Sequence, residues 1–340
     1  GNPFNSILKA GQMFPGIKSP WSFTLNLSKF LQANFNIFLF KVLPFQLSRL
    51  YMRFLGRIYF IFRKKEKALI KKTQKYVFED TYSPKALNSL YHKTFRGIID
   101  HYHEKLYMAY SNFPKLQKFF INGINIPNED QLKAEFAKGK GIILVTAHYS
   151  AVEGLPGALV SRGYPVTLIL RFQTEQLKDS LVERSKVYDI HLVDIDEGNV
   201  FMIAVNALKN GRILITECDE FDAWRTSKRY PVSFLNQKMD GDRTLEILRK
   251  RSKSALAMAL MQRDGNKRYT LNLTTFTTEE SNTVSVGKAS LNILEKAITK
   301  NPAHWYQWSD FGEKLELNSQ IQNNEKQPES LEEEKISSVS

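Results

Sequence analysis

A histidine and a carboxylate stand five residues apart at the end of an apolar run, Gly141-Ile-Ile-Leu-Val-Thr-Ala-His148-Tyr-Ser-Ala-Val-Glu153. Gly141–Thr146 reads as a buried strand, rich in β-branched residues and entered through Gly139 and Gly141. The residues after it read as a helix start. On one continuous helix an offset of five would place the two side chains about 140° apart. If His148 sits on the turn and the helix begins at Ser150, the imidazole can fold back over the first turn. Glu153 then accepts from one ring nitrogen, and the other is left to take a proton. A base held in this way activates a hydroxyl. The same residues also fit a capping box, Ser150-x-x-Glu153, in which Glu153 only satisfies a backbone donor. Spacing alone leaves both readings open.

Three further apolar runs end in polar groups. Pro165–Leu170 is followed by Arg171, Arg212–Thr216 by Glu217, Cys218, Asp219 and Glu220, and Ala255–Met261 by Gln262 and Arg263. Open α/β sheets bind ligands at the carboxyl ends of their strands, so a histidine, carboxylates and two arginines would make a site for an anionic substrate. Any single one of these ends could equally be an ordinary polar loop. Cys218 comes after a strand and reads as a small buried residue, with a nucleophilic thiol as the sharper alternative.

Composition narrows the partners. The chain has 340 residues and a formal net charge of +13. No acid precedes Glu66, while that stretch holds ten lysines and arginines; residues 320–340 carry five glutamates against two lysines. A basic chain favours an anionic partner such as a membrane surface or an acidic carrier protein. Without a zinc pattern, a nucleic-acid motif or a basic-region helix, no nucleic-acid partner is expected. The single cysteine excludes an internal disulfide and fits a reducing compartment.

Periodicity gives the elements that must position these residues. Phe30–Leu43 is apolar but interrupted by polar residues, and Pro44 breaks it; it falls short of the roughly 20 clean apolar residues of a spanning helix. Phe45–Phe62 reads as a helix with Arg49, Arg53 and Arg57 on one narrow face and apolar residues over most of the rest. That pattern predicts a helix lying in a bilayer interface, with its basic stripe towards anionic lipid. Residues 64–138 read as helical and residues 139–312 as alternating strands and helices, with helices at Val200–Lys209, Gly241–Lys250 and Leu291–Lys300. The fold class is therefore α/β, a central mostly parallel sheet flanked by helices, behind an N-terminal helical membrane-associated segment over 1–63. The α/β domain spans 64–313, and an acidic, disordered tail covers 314–340. Arg225, Lys228 and Arg229 read as a basic loop cluster on a solvated face.

With these motifs in order, the chain resembles the bacterial lipid A biosynthesis (lauroyl/myristoyl) acyltransferases, within the H-x4-D/E glycerolipid acyltransferase superfamily. His148-x4-Glu153 looks like the superfamily motif. The branch is suggested by Leu43-Pro44, Arg171 in LILRF, Asp219 after the next strand, Arg263 before Gly265 and Tyr269, and Pro302-Ala-His-Trp305. Two blocks depart from the pattern. Cys218-Asp219-Glu220-Phe221-Asp222 stands where Pro-Asp-x-Asp is usual, and no basic cluster comes after Trp308. The resemblance implies a membrane acyltransferase at the cytoplasmic face of the bacterial inner membrane. Its co-substrate would be acyl carrier protein or coenzyme A carrying the acyl thioester, with no metal or other cofactor. His148 and Glu153 would be catalytic, with Arg171, Asp219, Glu220 and Arg263 binding substrate. The acceptor would be a hydroxyl or amine of a lipid or lipid precursor, lipid A acylation being the nearest family role. A lipid or thioester hydrolase and a non-catalytic lipid-binding protein are the rivals; the first lacks a G-x-S-x-G nucleophile elbow. Acceptor, chain length and oligomeric state are not legible in the sequence.

Overall fold

The computed structural model describes residues 34–170, 175–194, 198–265, 267–276, 285–316 and 319. The substrate contact expected of Arg171, the first 33 residues and nearly all of the acidic tail lie outside the described residues.

Nine strands are described: β1 (Ile124–Asn125), β2 (Ile142–Thr146), β3 (Val166–Leu170), β4 (Ile190–Asp194), β5 (Ile213–Glu217), β6 (Thr226–Phe234), β7 (Gln237–Asp242), β8 (Ala255–Gly265) and β9 (Arg268–Thr275). Seven form one sheet in the order β1-β9-β8-β2-β5-β3-β4. Every pairing in it is parallel except β8 with β9. β6 and β7 form a separate antiparallel hairpin. The mostly parallel α/β sheet flanked by helices is thus the observed architecture. A parallel sheet covered on both faces needs strands apolar throughout, and β2 and β5 are buried along their whole length. Gly141 lets β2 enter this core. Its φ is +73°, and a Cβ there would lie 2.2 Å from the Leu208 carbonyl oxygen.

Helices Phe45–Phe62 and Val200–Lys209 have the bounds their periodicity predicts. The expected helix over Gly241–Lys250 begins later, at Thr244, because Gly241 and Asp242 are the last residues of β7, paired with Ser227 and Thr226 of β6. Arg225 precedes β6, and Lys228 and Arg229 lie on that strand rather than in a loop; all three are exposed or half-exposed.

The N-terminal helix differs from its sequence reading in the direction it faces. Arg49 is buried and Arg53 half-buried, because both turn towards helix Pro84–Tyr110. Arg53 makes a two-pronged pair with Asp100 at 2.8 Å on each arm, and Arg49 lies 3.2 Å from Glu104. Leu47, Leu50, Phe54, Ile58, Ile61 and Phe62 point outwards instead, each at least 41% exposed. Of the three arginines only Arg57 is on the exposed side. The segment Asp100-His-Tyr-His-Glu-Lys105 is buried at every residue, and its acids attract the arginines inwards, since a buried carboxylate needs a partner. Among the described residues, no helix is long and apolar enough to cross a membrane.

Candidate active site

His148 lies just past the carboxyl end of β2, on a turn pinned from three sides. Ser150 has φ +49°, a left-handed conformation that costs a non-glycine residue roughly 1 kcal/mol. The neighbours hold it there. The Ser150 N–H donates to the His304 carbonyl at 2.6 Å, and the Ser150 hydroxyl accepts from the Arg263 N–H at 2.8 Å. The Tyr306 N–H donates to the His148 carbonyl at 3.0 Å, and the Tyr306 hydroxyl to the Ser150 carbonyl at 2.8 Å. The segment Pro302–Trp308, legible in sequence only as a family block, is therefore the clamp that fixes the histidine's turn. No helix starts at Ser150: a 3-10 turn, Val152–Gly154, comes first and helix Leu155–Val160 comes after it.

The ring is held from both ends by carboxylates brought by β5. Thr146 and Glu217 are paired in the parallel register of β2 and β5, which puts the residues after both strands at one site. His148 Nδ1 lies 2.8 Å from Asp219 Oδ1, and Nε2 lies 2.8 Å from Glu217 Oε2; Glu220 Oε1 is 3.8 Å from Nε2. Asp219 is fully buried and is itself fixed. Its Oδ2 accepts from Trp305 Nε1 at 2.8 Å and from the His148 backbone N–H at 3.0 Å. Burial opposes charge on the imidazole, but Glu217 and Asp219 outweigh it and hold the His148 pKa well above its ordinary value. The ring is cationic in this arrangement.

Glu153, expected to orient the imidazole or to cap a helix, does neither. Its carboxylate lies 3.6 Å from His101 Nε2 and 3.9 Å from Lys105 Nζ, and the turn that contains it has no side-chain cap. Burial pushes its pKa up to about 7, with Lys105 pulling the other way. The carboxylate that meets Nδ1 is instead Asp219, which the resemblance implied as a substrate contact. Glu220, for which the resemblance implied a substrate contact, lies near the same ring. Arg263 is not presented to a ligand: its guanidinium is paired with Glu104 and with the Tyr306 hydroxyl. Glu217 received no role from the sequence, although an acid ending an apolar strand of this sheet was a signal that could have found it. The buried Cys218 thiol is pushed well up by burial and by the adjacent Asp219 and Glu217, which disfavours the thiolate.

His148, Glu217 and Asp219 bring ligand-type atoms within 4.8 Å of one another. The Asp219 oxygens are already engaged by Nδ1, Trp305 and the backbone, which leaves Nε2, Glu217 and the more distant Glu220.

An apolar cavity is walled by Met108, Leu116, Phe120, Val160, Leu168 and Leu181, and Glu153 and Lys105 are on its lining.

The model of the bacterial lipid A biosynthesis acyltransferase family matches residues 24–308. The chain belongs to that family. No curated protein matches the chain. Membership makes acyl transfer the activity to be read from the site. The match takes in the His148 turn, the Asp219 block and Trp305, the three parts that touch one another through Asp219.

Proposed function

We propose that the protein is a membrane-surface acyltransferase with His148 as its general base. It moves a fatty acyl chain from an acyl thioester, on acyl carrier protein or coenzyme A, to a hydroxyl or amine of a lipid. The observation that supports this reading is the imidazole of His148 locked through Nδ1 by Asp219 at the strand ends, with Nε2 facing Glu217. Neutral His148 takes the acceptor's proton as the acceptor attacks the thioester carbonyl. Asp219 stabilises the imidazolium, and the proton then passes to the leaving thiolate. A thioester is already activated, so no acyl-enzyme is required. The apolar cavity beside Glu153 suits the acyl chain. The test is to incubate the full-length protein with an acyl thioester and candidate lipids, monitoring thiol release and acylated lipid by mass spectrometry. Thiol release with free fatty acid as the sole product would make it a hydrolase instead.

This role for His148 implies a pH dependence. The charged ring must lose its proton before it can act, and its pKa is raised, so kcat/KM should climb with pH through a value above the ordinary imidazole range. Asp219→Asn removes one of the two negative charges, which should move that limb to lower pH while kcat falls, because the ring's tautomer is no longer fixed. The stability linkage has the same origin. A raised histidine pKa stabilises the fold below the unfolded-state value, and that contribution is lost as pH rises through the folded value. A kcat/KM profile flat from pH 6 to 10 would count against His148 as the base.

The membrane contact we assign to the outward apolar face of helix Phe45–Phe62, not to its arginines. Burying that face contributes roughly 25 cal/mol per Å², a term that salt does not screen. The double variant Leu50→Glu/Phe54→Glu should leave neutral and anionic vesicles alike, whereas high salt should not release the parent protein. Sedimentation of the double variant with vesicles as the parent does would refute this face as the contact. Localisation at the cytoplasmic face of the inner membrane is part of the same proposal.

A further inference from the structure

We infer that the apolar cavity carries a carboxylate site at Arg184 and Tyr188, and therefore binds a free long-chain fatty acid with its head group there. The binding stands apart from the acyltransferase reading; its consequence for turnover rests on that reading.

Helix Glu175–Ser185 brings Arg184 to the cavity lining, and the turn after it brings Tyr188. Two arms of the guanidinium are tied to the end of helix Pro84–Tyr110. Nε donates to the Ala109 carbonyl at 3.2 Å and Nη2 donates to the Ser111 carbonyl. The third nitrogen, Nη1, is buried with no hydrogen-bond partner among the described residues, and so is the Tyr188 hydroxyl. The Tyr188 ring is packed against Phe113, 5.6 Å between centroids. Acids near Arg184 in sequence are engaged elsewhere, Glu183 with Lys186 and Asp189 with Arg212. Burial pulls the Arg184 pKa down, and no described acid opposes it. A guanidinium keeps its proton all the same. One wall of an apolar cavity therefore holds a cation without a counter-ion and two donors without acceptors.

These groups select the ligand. A buried donor left unpaired is costly, and a guanidinium in apolar surroundings attracts an anion more strongly than one in water. An N–H and an O–H match the two oxygens of a carboxylate. Leu116, Phe120, Val160 and Leu181 offer the rest of the ligand no polar partner and suit an alkyl chain. The other charged groups on the lining are Lys105 and Glu153, which lie 3.9 Å apart and neutralise each other. Lys105 precedes Ser111 by six residues, roughly 9 Å along the helix. A single-chain acid can thus keep its head at Arg184 and lay its chain towards Lys105. An alcohol or an amine of the same length would leave the guanidinium without a counter-ion. A fatty acid is also what hydrolysis of an acyl thioester releases. Where the cavity houses the acyl chain of the donor, as proposed above, the free acid excludes it.

The test uses the full-length protein in phosphatidylcholine nanodiscs, with equilibrium dialysis against radiolabelled decanoate or decanol. Empty nanodiscs correct for partition into lipid. Wild-type protein should bind decanoate at least about tenfold more tightly than decanol. Arg184→Gln should weaken decanoate binding by about 10- to 100-fold, the worth of one charge-assisted hydrogen bond. Tyr188→Phe should weaken it about tenfold and leave decanol unchanged. The carboxyl carbon resonance of labelled decanoate should titrate at lower pH on the protein than in empty nanodiscs, because a guanidinium favours the carboxylate. Equal binding of the two probes overturns the inference, and so does decanoate binding that both variants leave unchanged. Arg184→Gln also gives up the contacts to Ala109 and Ser111; should it not fold, Tyr188→Phe and the decanol comparison decide. With a lauroyl thioester as donor, decanoate should raise KM and leave kcat unchanged. Decanoate that binds through Arg184 and Tyr188 without raising KM keeps the carboxylate site and removes the acyl chain from the cavity. If the protein binds decanoate in this way but releases no thiol from the thioester, the site stands and the acyltransferase reading fails.

Discussion

Replacing His148 with alanine should lower kcat for acyl transfer by about 10²–10⁴-fold, the range of a positioned general base. The loss should fall on kcat more than on KM, because the proton moves only in the transition state. Stability should change as well. His148 sits between Glu217 and Asp219 at 2.8 Å from each, so its removal leaves two buried acids without their cation. The melting temperature should therefore drop at neutral pH and recover partly as the pH is lowered and the acids take up protons. Turnover and thermal unfolding measured on one preparation separate the two effects. A variant that folds and turns over at a near-normal rate removes His148 from the mechanism.

Glu104→Ala should cost about 3–5 kcal/mol of stability, a fall in Tm on the order of 10 °C. Glu104 is fully buried and receives Arg49 from the N-terminal helix and Arg263 from β8. Its loss removes the carboxylate that two buried guanidinium groups share. Burial raises the Glu104 carboxyl pKa, but Arg263 and Arg49 outweigh it and hold it below the ordinary carboxylate range. The pair's stabilisation is then present above the unfolded-state pKa and is lost as pH falls through the folded value. Arg57→Ala, on the exposed side of the N-terminal helix, should change Tm little. If Glu104→Ala melts within about 2 °C of the parent, a shift too small for a lost buried pair, the buried network does not hold the N-terminal helix to the sheet.

The contrast between Arg49 and Arg57 marks where sequence reasoning stops. The 3.6-residue period set the bounds of helix Phe45–Phe62 to the residue, since period depends only on local order along the chain. It also revealed the stripe of Arg49, Arg53 and Arg57. It could not say which side of the helix faces water, because the acids that draw the arginines inwards lie some fifty residues away, at Asp100 and Glu104.

The same limit applies at the centre. Strand ends, a histidine at one of them and the acids after β5 were legible, because apolar runs and the residues that end them are local patterns. Glu153 looked like the histidine's partner through its closeness in sequence. In the fold the 3-10 turn Val152–Gly154 carries it to His101 and Lys105. Asp219 and Glu217 reach the ring from about seventy residues further on, because β5 pairs with β2 in parallel register. Parallel pairing joins segments that are distant in sequence, and no spacing rule encodes which strands become neighbours. Local order along the chain was enough for the α/β class, the family and the histidine. Only the folded chain settled which carboxylates the histidine meets.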